Sequence, residues 1–343
     1  MKLFNKYIIL LISFILFSAL LACDSPEIHV KVDDRLIPYP FYGKIKQIDE
    51  SEYLIYYSQF TSGLIVYDIE REIINNDILY ENYYLKNGHF QTFTLSEDYR
   101  LFMTPKGISD IIEFNIYGIK NHHYWSKERS FNHFSNYRNH PIFYKNEIFQ
   151  TSIDSLKNRD KGYLIEKITD IKNKSTRQIK IHYPKNNSDL PIAGMFPSKI
   201  RVGQSIIYNF PNYSAFLIYN LNDQSIEEKE LFLEKELNVS KEILDDDYVS
   251  EIDFYKNSDL IRKVVYNKIT KEFMLVLKRN GFKQYTIVKL DENYRQIGEE
   301  QHLSTSCYWE SLIPNKNSFI AIDNVKSLEM EGFIFKDVNT FTL

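Results

Sequence analysis

A hairpin pattern that occurs six times constrains the fold of this chain more than any other feature of its sequence. In each copy a short apolar strand leads through a polar turn into a second strand, which ends in an aromatic or aliphatic pair followed by a polar residue. The copies follow one another mostly at about 50 residues, so one structural unit is repeated along the chain. The paired segments are 53–57 with 64–69, 101–104 with 111–116, 147–150 with 163–168, 205–209 with 216–221, 273–277 with 285–291, and 319–322 with 332–335.

The repeat predicts an all-β fold, a six-bladed β-propeller of four-stranded antiparallel blades that spans residues 28–343. Tyr and Phe occur 26 and 24 times, and both suit a pleated, half-buried surface. Segments before the hairpins, such as 43–47 and 91–95, supply the innermost strands. One small sheet cannot bury both of its faces, whereas packing blade on blade around an axis buries them. A helical bundle and a parallel α/β fold are disfavoured, because no long stretch holds a helical period and no regular helices separate the hairpins.

Two segments depart from the repeat. Residues 28–32 alternate apolar and polar side chains, so we expect this strand to complete the last blade beside residues 341–343. The gap between the fourth and fifth hairpins is longer and holds a segment rich in Glu, Lys and Leu at 227–247. That composition predicts a short helical insertion, with Asn238 or Ser240 as its N-cap.

The N-terminal segment has the order of a lipoprotein export signal. Two lysines precede an apolar run that ends in Leu-Leu-Ala before Cys23. The run is shorter than the roughly 20 residues of a membrane span, and the small alanine suits cleavage by a signal peptidase. We therefore expect residues 1–22 to be a signal peptide, Cys23 to carry palmitate and other acyl chains, and residues 23–27 to be a lipidated tether. An uncleaved anchor helix is the alternative.

Three motifs together carry a family resemblance. They are the lipobox at Cys23, strand endings such as Val66-Tyr67-Asp68 and Ile218-Tyr219-Asn220, and the turn from Ser96 to Leu101. With them the chain resembles the uncharacterised six-bladed β-propeller lipoproteins of Gram-negative bacteria, a domain family of unknown function with a TolB-like propeller shape. The resemblance implies a cell-envelope protein, held by lipid on the inner or outer membrane and facing the periplasm or the cell exterior. It implies no catalytic residues.

Charge and motifs argue against several partners and chemistries. The formal net charge is −4 with both signs interspersed, and no run resembles a nucleic-acid footprint. The sequence also lacks a Gly-x-Ser-x-Gly nucleophile elbow and a glycine loop that would cradle phosphate. We expect neither a nucleic-acid partner nor a cofactor.

The metal-ligating residue types do not have the spacing of a metal site. Adjacent residues on a strand point to opposite faces, and zinc needs three or four convergent ligands. The acidic run at 245–247 lacks the alternate spacing of a calcium loop and predicts a solvated turn. Cys307 lies beside two aromatic residues, which favours a small buried hydrophobe over a reactive thiol. The histidines considered are His122, His123, His133 and His140.

Three arginines are the candidate ligand-binding residues. Arg138, Arg201 and Arg262 lie in the segments predicted as innermost strands of the third, fourth and fifth blades. Inner strands converge at the mouth of a propeller channel, so three guanidiniums there would hold a carboxylate, sulfate or phosphate. Ordinary solvated charges at the rim are the alternative.

These expectations favour a non-catalytic binding or scaffolding module that presents a propeller face to a protein, a peptide or a glycan. The alternative is a propeller-type hydrolase acting on an envelope or extracellular substrate, whose isolated carboxylates would come from several inner strands. Carboxylates that converge in the channel would indicate the enzyme, and a channel filled by aromatic side chains would indicate the binder.

Overall fold

The computed structural model of the chain is mostly β and is built of four-stranded antiparallel sheets. The residues it describes are 28–31, 43–48, 52–57, 63–68, 73–79, 90–95, 100–105, 110–116, 125–132, 141–151, 162–184, 197–239, 253, 256–279, 284–329 and 332–341. The expected signal peptide and tether, with Cys23, lie outside these residues. Within the described part, no helix is long and apolar enough to cross a membrane.

The described strands form six four-stranded sheets, preceded by β1 (Ile28–Lys31), which belongs to the last of them. Sheet 1 contains β2 (Gly43–Ile48), β3 (Glu52–Tyr57), β4 (Gly63–Asp68) and β5 (Ile73–Leu79). Sheet 2 contains β6 (Phe90–Leu95), β7 (Arg100–Pro105), β8 (Asp110–Ile116) and β9 (Trp125–Asn132). Sheet 3 contains β10 (Ile142–Tyr144), β11 (Glu147–Thr151), β12 (Tyr163–Asp170) and β13 (Ser175–His182).

The remaining sheets follow the same plan. Sheet 4 contains β14 (Ser198–Val202), β15 (Ser205–Asn209), β16 (Ala215–Asn220) and β17 (Ile226–Glu230). Sheet 5 contains β18 (Leu260–Asn267), β19 (Glu272–Arg279), β20 (Gln284–Leu290) and β21 (Gln296–His302). Sheet 6 contains β22 (Cys307–Asn315), β23 (Ser318–Asp323), β24 (Gly332–Asp337) and, at its edge, β1.

The predicted hairpins are antiparallel strand pairs of the structure. Each is formed by the second and third strands of one sheet. In β15, Ile206 and Tyr208 pack with side chains of sheet 3, whereas Ile207 packs with side chains of sheet 5. Because the middle strands are covered on both faces, they are continuous apolar runs rather than alternating ones.

The first strands of consecutive sheets lie beside one another, in the order β2, β22, β18, β14, β10 and β6. We call the end of a sheet where its first strand begins the upper end, and the end where that strand turns into the second the lower end. Ile261 at the start of β18 donates its backbone N–H to Pro211 in the β15–β16 turn, 2.6 Å away. Asn267 at the end of β18 donates to the carbonyls of Lys316 and Ser318, both at 2.9 Å. Sheets 4, 5 and 6 therefore have their upper ends on the same side.

The N-terminal strand completes sheet 6, but its partner differs from the expected one. β1 pairs with β24, with Ile28 opposite Phe335 and Lys31 opposite Gly332. Residues 338–341 form a 3₁₀ helix, and residues 342–343 lie outside the described part of the chain. β24 offers a complete row of backbone donors and acceptors along its edge, which a short 3₁₀ helix cannot.

The helical insertion predicted at 227–247 is wrong at its start. Residues 226–230 form β17, because they pair with the edge of β16 in spite of their glutamates. Backbone hydrogen bonds to an existing edge outweigh the helix propensity of a few residues. Residues 231–239 contain no helix, and the backbone N–H of Asn238 donates to the Asp259 carboxylate at 3.0 Å. Ser240 and the acidic run at 245–247 lie outside the described residues.

A helix that the pattern did not predict, α1 (Asn324–Glu329), joins β23 to β24. Asp323 accepts hydrogen bonds from the N–H groups of Val325 and Lys326 at 3.0 and 3.1 Å. The carboxylate is thus the N-cap that starts the helix. Six residues are too few for a hydrophobic period to be visible in the sequence.

Candidate functional site

Two β-bulges face one another at the upper ends of sheets 5 and 6. In β18 the register shifts between Ile261 and Lys263, which leaves Arg262 without a residue opposite it. In β22 the register shifts between Tyr308 and Ile313, so four residues lie opposite Ala321 alone. Bulges reorient side chains and are frequent next to functional sites. We call the residues that line this place, Arg262, Lys263, Lys278, Tyr285, Trp309 and Glu310, the bulge site.

Arg262 and two aromatic rings form the wall of the bulge site. The guanidinium carbon of Arg262 lies 5.6 Å from the centroid of the Trp309 ring. On the indole, Tyr285 stacks with a centroid distance of 5.0 Å and an interplanar angle of 27°. Burial raises the pKa of Tyr285, against the effect of the nearby Arg262 charge. The aromatic pair holds the arginine in place by stacking and cation–π attraction.

The side chain of Ser311, which lies within the β22 bulge, stabilises the irregular backbone there. Ser311 Oγ donates to the Tyr308 carbonyl at 2.6 Å and accepts the N–H of Ile322 at 2.7 Å. The serine thus replaces a ladder bond that the bulge removes, so the distortion leaves this buried donor satisfied. The bulge carries Trp309 and Glu310 towards sheet 5.

Lysines add two further positive charges to the bulge site. Lys263 donates its ammonium group to the backbone carbonyl of Glu310. Lys278 is fully buried and donates to the carbonyl of Ser258 at 3.2 Å. The pKa of each lysine is lowered to about 8, chiefly by burial, and the charge of Arg262 contributes to the shift of Lys278. The two lysines of the bulge site therefore lose their proton at a lower pH than exposed lysines do.

The structure describes two of the three sequence-predicted arginines, on two neighbouring first strands. Arg201 lies at the lower end of β14, beside the turn into β15, with its guanidinium carbon 5.5 Å from the Tyr144 ring. Arg262 lies at the upper end of β18. Arg138 lies outside the described residues. Ligand binding by these arginines therefore stays a prediction.

A second polar cluster lies between sheets 3 and 4 and is closed. Lys199 and Glu166 are fully buried and form an ion pair at 2.6 Å. Thr151 donates to the other carboxylate oxygen at 2.7 Å, and Lys199 also reaches the Phe149 carbonyl at 3.3 Å. Burial raises the pKa of Glu166 and lowers that of Lys199, and each charge opposes the shift of the other. Its charges cancel, so the cluster has little charge to offer a ligand.

A third cluster ties the connection between sheets 4 and 5 to sheet 5. Arg279 donates to Asp259 at 2.9 Å and to both oxygens of Glu300 at 3.0 and 2.8 Å. The same guanidinium bonds the carbonyls of Lys235 and Glu236, each at 3.0 Å. All five of its N–H donors are thereby used. Arg279 therefore has a structural role and links residues 235–236 to sheet 5.

The remaining chemical candidates give no metal or nucleophile site in the described part of the chain. Cys307 is a buried thiol whose pKa burial raises to about 12, as expected for a small hydrophobe. No described group of three His, Cys, Asp or Glu side chains could hold a metal ion. The four histidines weighed above lie outside the described residues.

Sequence reasoning identified Arg262 but missed Lys278, Lys263 and the bulges. Lys278 directly follows the apolar run of β19. A charged residue in that position predicts the end of a strand and not a buried side chain. A bulge leaves no local signal here, because neither bulge contains glycine. The adjacent Arg262-Lys263 pair, two cations in a strand predicted to be innermost, is the one sign that was available.

No protein-family model matches the sequence, and no curated protein matches it. Solved structures of β-propeller-like proteins are weakly similar to it. Virginiamycin B lyase from Staphylococcus aureus is 11% identical over 91% of this chain and 97% of its own, with a TM-score of 0.43. AztD from Citrobacter koseri is 9% identical over 88% and 85%, with a TM-score of 0.42.

Two further solved structures match this chain with TM-scores no higher than those of virginiamycin B lyase and AztD. Apo AztD is matched with a TM-score of 0.33 and 12% identity over 54% of this chain, which spans only 46% of that protein. YCF48 bound to D1 peptide is 8% identical over 88% of this chain and 80% of that one, with a TM-score of 0.42. Similarity of this degree assigns no activity to the chain, whose mostly β architecture is defined by its own sheets.

Proposed function

We propose that this chain is a lipid-anchored binding or scaffolding module of the cell envelope, in which the upper ends of the sheets receive a protein, a peptide or a glycan. The observation that carries the proposal is the pair of facing bulges in β18 and β22, which places cations and aromatic rings together at the upper end. First strands of a propeller line its central axis, where ligands of this architecture bind.

The proposal includes a closed ring of six blades. Three observations support it: four-stranded sheets of one plan, first strands side by side in series, and β1 completing the sheet of the last strands. Closure by a terminal strand makes the ring one cooperative unit. Deleting residues 28–31 is therefore expected to lower the urea midpoint of the whole domain, whereas deleting 240–247 is expected to change it much less. A stable proteolytic fragment that ends near residue 170 would instead indicate two independent domains.

The lipid anchor is proposed from the sequence around Cys23. Metabolic labelling with a fatty-acid analogue is expected to label the wild type and not the Cys23→Ala variant, which should accumulate as an unprocessed precursor. Equal labelling of both proteins would remove the anchor from the proposal. Fractionation of the labelled cells then assigns the protein to the inner or the outer membrane.

Binding is preferred to hydrolysis because of how the described carboxylates are used. Glu166 pairs with Lys199, Asp259 with Arg279, and Asp323 with Lys336 at 2.8 Å. Because each of these carboxylates is held in an ion pair with a lysine or an arginine, it is a poor general acid or base.

Glycan and peptide arrays probed with the purified full-length protein in detergent test the binding role. Retention of one ligand class, reduced by substitutions at the upper end and not by those at the lower end, is the expected result. Cleavage of a retained ligand would identify a hydrolase instead, and equal loss from both ends would place the ligand elsewhere.

A further inference from the structure

We propose that the lower ends of sheets 5 and 6 lie against the lipid bilayer that holds the acyl chains of Cys23, so that the upper end points into the aqueous space. This inference rests on the lipid anchor of the proposed function and adds which side of the protein the membrane covers. Two independent observations carry it, the direction of β1 and an exposed turn between β18 and β19.

The direction of β1 places the expected tether at the lower end of sheet 6. β22 begins at the upper end and the strands of sheet 6 alternate in direction, so β24 also begins at the upper end. β1 is antiparallel to β24, with Ile28 opposite Phe335 and Lys31 opposite Gly332. The start of β1 therefore lies towards the lower end, and the chain enters the sheet from that side.

The tether is too short to separate that entry point from the membrane. Only residues 24–27 stand between Cys23 and Ile28. A fully extended chain spans at most about 3.5 Å per residue, so these five steps reach about 17 Å. Acyl chains buried in a bilayer keep the residue that carries them at its surface. The lower end of sheet 6 is therefore held close to the lipid headgroups.

The turn between β18 and β19 carries an exposed apolar side chain at the lower end of sheet 5. Ile269 is 54% exposed. The side chain of the buried Asn267 accepts the N–H of Ile269 at 2.9 Å and donates to the carbonyls of Lys316 and Ser318, both at 2.9 Å. The isoleucine is thus held in a hydrogen-bonded turn that directly contacts the lower end of sheet 6.

The chemistry of this turn suits the headgroup region of a bilayer. Lys268 and Lys271 flank Ile269, and Lys316 lies in the adjacent turn. An isoleucine between lysines can leave water while the aliphatic stems cover apolar surface and the ammonium groups reach phosphates. Lys271 also pairs with Glu292 at 3.5 Å. The apolar side chain, and not an excess of charge, is therefore the basis of the contact.

The two observations together define how the protein faces the membrane. β1 is the outer strand of sheet 6, whereas the turn that holds Ile269 follows the first strand of sheet 5. One contact near the outer strands and one near the first strands, both at the lower end, favour a protein that stands on this end over one that lies on its side. A ligand from the aqueous space then has open access to the upper end.

Quenching by labelled lipid tests this orientation. Ile269→Cys and Val325→Cys form a matched pair, because both side chains are 54% exposed and Val325 lies on α1 at the upper end. Each full-length acylated variant is labelled with a thiol-reactive fluorophore and reconstituted into phospholipid vesicles with and without nitroxide-labelled lipid. Cys307 is buried, so the labelled wild type gives the background. We expect at least about twofold stronger quenching at position 269 than at 325.

Equal quenching at the two positions, stronger quenching at 325, or no quenching at either would overturn the proposed orientation. Flotation with the vesicles separates this result from the anchor itself. A protein that floats and lacks the quenching contrast keeps the lipid anchor and loses the orientation. A protein that is not acylated and does not float removes both.

A longer tether tests the cause of the orientation. A flexible linker of twenty Gly and Ser residues, inserted between Glu27 and Ile28, adds a mean reach of about 25 Å. We expect it to reduce the quenching contrast, whereas the same linker added after Leu343 is expected to leave the contrast unchanged. A contrast that survives the insertion before Ile28 would overturn the short tether as its cause.

Discussion

Two interfaces of this molecule each bury a lysine near the upper end, and they treat its charge in opposite ways. Between sheets 3 and 4, Lys199 meets Glu166, and Thr151 holds the other carboxylate oxygen. Between sheets 5 and 6, Lys278 donates to a backbone carbonyl and lies near Arg262. A lysine that a neighbouring sheet neutralises is part of the core. Around Lys278, burial and the charge of Arg262 instead lower the pKa of the ammonium group to about 8.

The closed interface should be the more sensitive to a single change. Lys199→Met leaves the Glu166 carboxylate buried without its cation, so we expect a loss of about 3–5 kcal/mol in the free energy of unfolding. The double variant Lys199→Met, Glu166→Met is expected to recover most of that loss. Urea denaturation of the full-length protein at pH 7 measures both. A double variant as unstable as the single one would show that the pair is not what stabilises this interface.

Thr151 should matter only while the carboxylate is present. Thr151→Val removes a hydrogen bond to a charged acceptor, and we expect it to cost about 1.5–3 kcal/mol in the wild type. In the background without Glu166 and Lys199 the same change is expected to be nearly neutral. A double-mutant cycle from denaturation data gives the coupling. Additive costs would mean that Thr151 acts through packing alone.

The interface between sheets 5 and 6 should respond in the other direction. Lys278→Met removes a buried charge and keeps the length of the side chain, so stability at pH 7 is expected to hold or to rise by about 1 kcal/mol. A loss as large as that of Lys199→Met would reveal a structural role for Lys278 and remove the contrast between the interfaces.

The pH dependence of the stability difference between Lys278→Met and the wild type tests whether the charge of Lys278 causes it. The pKa of Lys278 is about 8 in the folded protein and near 10.5 when exposed, so the folded state loses the proton first. Wild-type stability is therefore expected to rise between about pH 8 and pH 10.5, because the cost of the buried charge disappears. The advantage of Lys278→Met should shrink over this range, as measured by urea midpoints in buffers of equal ionic strength.

Arg262 and Arg201 should give the smallest effects on stability. Both are half-buried and lie over an aromatic ring, so glutamine at either position is expected to change the free energy of unfolding by less than about 0.5 kcal/mol. Thermal melts without added anion measure this. A large loss at Arg262 alone would show that the β18 bulge itself depends on the guanidinium.

Strand pairing could be predicted well because its signal is local. The runs at 205–209 and 216–221 correspond to β15 and β16, and the other hairpins agree as closely. Predictions failed where the outcome depended on a distant partner. Residues 226–230 have the composition of a helix but pair with β16, and β1 selects β24 rather than the last residues of the chain.

The sequence by itself determined the β-rich hairpins and their spacing, because turn residues and short apolar runs act over a few positions. Only the tertiary structure decided what the charges do. Lys199, Lys278, Arg201 and Arg262 are all cations in or beside strands, yet one is neutralised by Glu166, one lies near a like charge, and the arginines lie at opposite ends of the sheets. Those fates depend on register, bulges and packing between sheets, which bring together residues that are far apart in the chain.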